Sequence, residues 1–347
     1  MGFMNERLSF ASDYMEGAHP EILQRLAETN LEQAAGYGCD PYTEAAREKI
    51  RAACRAPRAE VHFLAGGTQA NRIVISALLR PYEGVIAADT GHITVHEAGA
   101  IEAGGHKVLA LPHTDGKLTA HAIEGCLRSY RADTNRDHMV CPGMVYLSQP
   151  TEYGTLYTRN ELEVISAVCR ANKIPLFLDG ARLAYALGCP ANDVTLAVIA
   201  HLCDVFSIGG TKCGALFGEA VVFPRPDTVP HFFTIIKQNG ALLAKGRVLG
   251  LQFDTLFTDG LYERGGAHGV AMADRIRAAL TAKDYRLASD APTNQIFLVL
   301  DAAQLARLSE HVVMGFWEKR GEDETVMRIA TSWATQEADV ERLIAVL

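Results

Sequence analysis

A chain of 347 residues, 48% apolar and 21% charged, has an ordinary globular composition and the length for one large or two moderate domains. Its formal charge of −8 comes without any basic stripe, which excludes a nucleic-acid partner. Eight scattered cysteines with no CxxC pair imply reduced thiols in a cytoplasmic protein rather than a disulfide frame or a zinc site. The opening "MGFMNERLSF" has no hydrophobic signal core, and Glu6 replaces the Ser or Thr that myristoylation needs. No apolar run approaches bilayer length, so no membrane partner is expected.

Strand-like and helix-like runs alternate through the first two thirds. "VHFLAGG" (61–67) reads as a strand and "TQANRIVISALLR" (68–80) as the helix after it. Between them "LAGGTQAN" offers free N–H groups and a hydroxyl at a helix start, a cradle for a phosphate. The bland reading is a tight turn with Thr68 as N-cap. "GVIAAD" (84–89) leads to "TGHITVHEAGA", where His92 and His96 share a helix face. With Asp179 they make an alternative, metal-binding reading, although the HExxH order is absent. "GMVYLSQP" (143–150) precedes the helix "RNELEVISAVCRANK" (159–173), and Glu152 lies in the turn between them. "IPLFLDG" (174–180) ends in Asp179, with Arg182 three residues on; the acid either caps the next helix or holds a cation.

"DVFSIGGT" (204–211) and "GEAVVF" (218–223) flank Lys212, which sits among glycines and small residues. An unpaired buried ammonium is costly, so Lys212 is either a solvated loop residue or an amine with a chemical task. From about residue 250 the texture changes. Helix "GVAMADRIRAALTAK" (269–283), strands "NQIFLVL" (294–300) and "VMRIATSWA" (326–334), and helix "EADVERLIAVL" suggest a smaller α+β domain. The pattern predicts an α/β chain: a mostly parallel central sheet with helices on both faces, plus that C-terminal unit. Gly66–Thr68, Gln149–Glu152, Asp179 and Thr211–Lys212 all fall at predicted strand ends. In open α/β sheets that edge is where ligands bind.

"LAGGTQAN", "GHITVHEAGA", "LDGARL" and "SIGGTK", in that order and at those separations, resemble the threonine aldolase and β-eliminating lyase family. The resemblance runs from "SFASDYMEGAHP" to "VMRIATSWAT", nearly the whole chain. It implies an enzyme of the aspartate-aminotransferase fold (fold type I) that uses pyridoxal 5′-phosphate. Its expected organisation is an N-terminal segment 1–20 reaching the active site, a large cofactor domain 21–249, and a small domain 250–347. Lys212 would form the Schiff base, Asp179 would bond the pyridine nitrogen, and His92 would stack on the ring. Gly66, Gly67, Thr68 and Thr211 would hold the phosphate. Ser12, Arg182 and Arg328 would grip the substrate carboxylate, a task suited to a guanidinium fork. The resemblance also implies a homodimer or homotetramer with shared sites. Tyr37 would cross the interface, and Lys245 or its rival Arg247 would reach a neighbouring phosphate.

The implied reaction cleaves Cα–Cβ of a β-hydroxy-α-amino acid to glycine and an aldehyde. β-Elimination and transamination are the alternatives. One position departs from the family: many threonine aldolases carry a histidine near the substrate hydroxyl, in the turn where this chain has Glu152. A carboxylate is the weaker base unless burial raises its pKa. That opens the substrate range from threonine and allo-threonine to bulkier acids such as phenylserine.

Overall fold

The computed structural model describes residues 7–347, so residues 1–6 of the expected 1–20 segment, Glu6 among them, lie outside the described residues. The strands are β1 (Leu8–Ser9), β2 (Glu60–Leu64), β3 (Glu83–Ala88), β4 (Val108–Leu111), β5 (Cys141–Ser148), β6 (Leu176–Asp179), β7 (Val205–Gly209) and β8 (Glu219–Phe223). After them come β9 (Gln295–Asp301), β10 (Val312–Val313), β11 (Gly315–Arg320) and β12 (Glu324–Ala330). The large sheet has the order β2-β8-β7-β6-β5-β3-β4. Its strands run parallel except β8, which is antiparallel to both neighbours.

Both faces of this sheet are buried, which is why its strands read as continuous apolar runs. Alternation sorts the side chains. Val145, Leu147, Leu176, Leu178, Phe206 and Ile208 join one core; Met144, Tyr146, Phe177 and Val205 join the other. The helix Gly67–Leu78 covers the second face through Ile73 and Val74. Helix Arg159–Asn172 starts on a capping box, Thr158 with Glu161.

The second sheet, β11-β12-β9, is antiparallel throughout. The helix Leu261–Ala282 packs beside it and begins eight residues earlier than its apolar period indicates. Gly266 allows the early start to lie close against helix Leu183–Leu187: a Cβ there would sit 1.9 Å from the Ala184 carbonyl oxygen. A separate two-residue parallel ladder, β1 with β10, and the Ala330 amide on Phe10 O at 2.8 Å hold the N-terminal segment beside the second sheet.

Candidate active site

Four strands of the large sheet deliver polar residues to one edge. β2 ends before Gly66, β5 before the 149–152 turn, β6 on Asp179 and β7 before Thr211–Lys212. Gly180 and Gly209 let the β6 and β7 exits cross closely; a Cβ on either would meet a carbonyl oxygen at 2.2 Å.

Asp179 falls on the same sheet face as Phe177 and Tyr146, so it points toward the helix that carries Asn71. Its Oδ2 accepts the Tyr146 hydroxyl at 2.6 Å and Asn71 Nδ2 at 2.9 Å; its Oδ1 accepts the Ala181 amide at 2.9 Å and the Ser207 hydroxyl at 3.3 Å. Burial pushes its pKa up, but the His92 ring, these hydrogen bonds and Lys212 outweigh burial and hold it below the ordinary carboxylate value. An acid kept ionised in a dry site is a partner for a positive group. The helix-capping alternative fails, because the N-cap of Leu183–Leu187 is Arg182.

His92 begins the short helix His92–Val95. Its Nδ1 lies 2.8 Å from Glu97 Oε1, which also accepts Asn71 Nδ2 at 2.7 Å. One amide group therefore bridges the two buried carboxylates, Glu97 and Asp179. A carboxylate only accepts, so His92 carries a hydrogen on Nδ1, directed at Glu97. Glu152 is buried beside it: Oε1 accepts the His92 amide at 2.9 Å and the Ser148 hydroxyl at 2.6 Å. Burial raises its pKa against the Ser148 bond, the direction a base needs.

The N-terminal segment knits the two arginines. Ala11 O accepts Arg328 Nη2 at 2.9 Å, while Asp13 takes Arg182 Nε at 2.6 Å and Nη2 at 3.0 Å. Ser12 lies between these two contacts, its hydroxyl buried and without a partner among the described residues. Arg328 Nε is likewise buried and unmatched, and Nη1 reaches Gln295 Oε1 at 3.2 Å. These are open positions for an anion. Arg182 differs from expectation, since Asp13 already neutralises most of its fork.

Lys212 sits on a loop held by the Tyr185 hydroxyl on its carbonyl at 2.6 Å and the Tyr262 hydroxyl on Gly209 O at 2.9 Å. Burial, then the Arg182 cation, lowers its pKa below the ordinary lysine value, the direction a nucleophilic amine needs. A cavity of about 330 Å³ brings together Lys212, His92, Glu152, Arg182, Arg328 and Trp317. Tyr14 also lines it, with its ring centre 5.9 Å from Lys212 Nζ.

At the glycine turn the N-cap is Gly66, not Thr68, which lies inside the first turn of helix Gly67–Leu78. No side chain caps this end, and a Cβ on Gly66 or Gly67 would meet nothing within 4 Å. Free amides facing open space suit a phosphate. An open helix start, a poised amine and an ionised acid therefore fit pyridoxal phosphate, with its anion, aldehyde and ring nitrogen.

Tyr37, Lys245 and Arg247 do not line the cavity. The Tyr37 amide donates to Ala244 O at 3.1 Å, which sets it beside Lys245 on the outer surface. Arg247 is engaged by Thr29 O, Thr29 Oγ1 and Glu32 O. The metal reading has no geometric support: among the described residues no three His, Cys, Asp or Glu side chains gather to hold an ion. Sequence reasoning missed Asp13, Asn71, Tyr146, Ser148, Gln295 and Trp317, and did not use Glu97. Asn71 was findable as a polar residue on the apolar face of its helix, and Tyr146 as a hydroxyl in an apolar strand.

A structural neighbour, aspartate aminotransferase of Thermus thermophilus, is 15% identical with a TM-score of 0.70 over 98% of this chain and 92% of its own, and shows the fold alone. A solved threonine aldolase of Leishmania major is 47% identical with a TM-score of 0.94, covering 98% of both chains. A low-specificity L-threonine aldolase of Pseudomonas aeruginosa is 33% identical over 96% of this chain and 94% of its own length. The β-eliminating lyase family description matches residues 9–310. By these matches the chain belongs to the β-eliminating lyase family of pyridoxal-phosphate-dependent enzymes, on the threonine aldolase branch.

Proposed function

We propose that the protein is an aldehyde-lyase that cleaves the Cα–Cβ bond of β-hydroxy-α-amino acids to glycine and an aldehyde. The observation that carries the reading is one cavity holding Lys212, His92, Glu152 and Arg328 above the buried Asp179. Bound pyridoxal phosphate supplies an electron sink for the pair released when Cα–Cβ breaks. Lys212 would tether it, Asp179 would meet its ring nitrogen, His92 would stack on the ring, and Gly66, Gly67, Thr68 and Thr211 would hold the phosphate.

Arg328, with Ser12 and the remaining face of Arg182, pins the substrate carboxylate. Pinning one substituent fixes which bond at Cα is aligned for cleavage. Glu152, raised by burial and held by Ser148 and the His92 amide, takes the proton of the β-hydroxyl. Base assistance of this kind contributes about 10²- to 10⁴-fold.

The reading extends to a dimer or tetramer in which Tyr37 and Lys245 serve the neighbouring subunit. Lys245 is favoured over Arg247 because it is exposed and without a partner among the described residues, whereas Arg247 is engaged at both Nη atoms. Incubation of the pyridoxal-phosphate-loaded protein with threonine, allo-threonine and phenylserine tests the function. Equal amounts of glycine and aldehyde are expected. Keto acid with ammonia would assign β-elimination instead, and an exchanged amino group would assign transamination.

A further inference from the structure

Glu219 opens β8 at the edge where β2 and β7 end. It pairs with Leu64 on one side and Gly209 on the other, between the strand leading to Gly66–Thr68 and the strand leading to Thr211–Lys212. The residue is 4% exposed. Its Oε1 lies 2.9 Å from Thr211 Oγ1, and that oxygen also accepts the Gly218 amide at 3.0 Å. Its Oε2 is sealed from solvent and meets no donor among the described residues.

An ionised carboxylate there would leave a charged acceptor dry and unmatched, which is expensive. A neutral acid in the same place leaves only a carbonyl oxygen unmatched, a smaller loss. Burial pushes the group up to about 8, opposed by the Lys212 cation and reinforced by Asp179. Cys213 and Tyr262 are the other titratable groups that feel it, and burial raises both.

Thr211 has one hydroxyl hydrogen. When Glu219 is ionised that hydrogen points at Oε1, leaving none for an anion, and a negative charge stands beside the phosphate end. We propose that Glu219 is a further cofactor-binding residue: held as a neutral acid, it donates to Thr211 Oγ1 and turns the Thr211 hydroxyl toward the phosphate. Relative to the ionised state Glu219 holds one more proton, taken from solvent, and with it the direction of the 2.9 Å contact reverses. The proposal rests on the reading above, in which a phosphate group lies between Gly66–Thr68 and Thr211.

The test compares dissociation constants of pyridoxal phosphate and of unphosphorylated pyridoxal for apoprotein and for Glu219→Gln, well below and well above pH 8. A glutamine donates to Thr211 at every pH. The variant should match the wild type at low pH and bind pyridoxal phosphate at least about tenfold more tightly than the wild type two units above the Glu219 value. Pyridoxal should show no such difference between the two proteins. Identical pH curves for pyridoxal phosphate would overturn the proposal, and an equal difference with pyridoxal would overturn it by assigning the effect to Lys212. In the wild type alone, the phosphorus resonance of bound pyridoxal phosphate should shift with a midpoint near 8; a resonance flat through that range contradicts the proposal even if the variant does not fold. Wild-type protein that binds neither compound would instead refute the cofactor reading itself.

Discussion

Asp13 and Arg182 meet through both carboxylate oxygens, Oδ2 to Nε at 2.6 Å and Oδ1 to Nη2 at 3.0 Å, and Asn294 Nδ2 joins Oδ2 at 2.9 Å. Burial acts to raise the Asp13 pKa, but the charge and hydrogen bonds of Arg182, then the Lys212 charge and the Asn294 hydrogen bond, hold it at about 2. A carboxyl depressed in the folded state adds stability above its ordinary value, and that stability is lost as pH falls through the folded value. We predict that the pair contributes about 2 kcal/mol, lost between about pH 4 and pH 2. Acid titration of unfolding in the wild type and in Asp13→Asn checks this; equal acid sensitivity in the two would contradict it. Asp13→Ala strands a buried guanidinium and should destabilise by about 3–5 kcal/mol.

Because Asp13 neutralises Arg182, Arg328 carries most of the charge offered to a carboxylate. Arg328→Ala should raise KM for a β-hydroxy amino acid on the order of ten- to a hundredfold, the loss of a hydrogen-bonded charge contact. Arg182→Ala is expected to weaken stability along with binding, since it also strands Asp13. Steady-state kinetics with an unchanged KM in Arg328→Ala would remove Arg328 from substrate recognition.

Glu152 must be ionised to accept the substrate proton, so activity should rise with pH through its raised value. The acid limb of kcat should therefore lie above the ordinary carboxylate range, and Glu152→Gln should lose that limb with a drop of about 10²- to 10⁴-fold. A pH profile of the variant that keeps both the limb and the rate would place the base elsewhere.

Glu97 fixes the hydrogen of His92 on Nδ1 and shares Asn71 with Asp179. Glu97→Ala should lower kcat on the order of ten- to a hundredfold with little change in KM, since it touches His92, the proposed stacking residue, and neither Arg182 nor Arg328. A rise in KM with kcat intact would mean that Glu97 serves substrate binding instead.

The strand ends were legible because a sheet buried on both faces writes itself as apolar runs, and each run stops where a polar residue meets the edge. Lys212, Asp179, His92, Glu152, Arg182 and Arg328 were singled out as candidates in that way and from the ordered motifs. The partners were not. Asp13 lies far from Arg182 in sequence, and tertiary contacts bring it there: the β1–β10 ladder, the Arg328 bond to Ala11 O and the buried Asn294. Asn71 lies in the helix Gly67–Leu78 and Glu97 in the bend after His92–Val95, and no spacing predicts that one amide bridges two carboxylates. The strand β4 was missed because its four residues are only partly buried at the sheet edge and lack a strong period. The bland alternative for Thr68, a cap, does not hold: a threonine after glycines invites it, but the helix starts on Gly67 with no side-chain cap.

The most direct measurement is borohydride reduction of the purified, pyridoxal-phosphate-loaded protein followed by peptide mass spectrometry. A pyridoxyl adduct on the peptide containing Lys212, and loss of that adduct in Lys212→Ala, is the predicted result. An adduct on a different lysine, or none at all, would contradict the assignment of Lys212 as the cofactor's anchor.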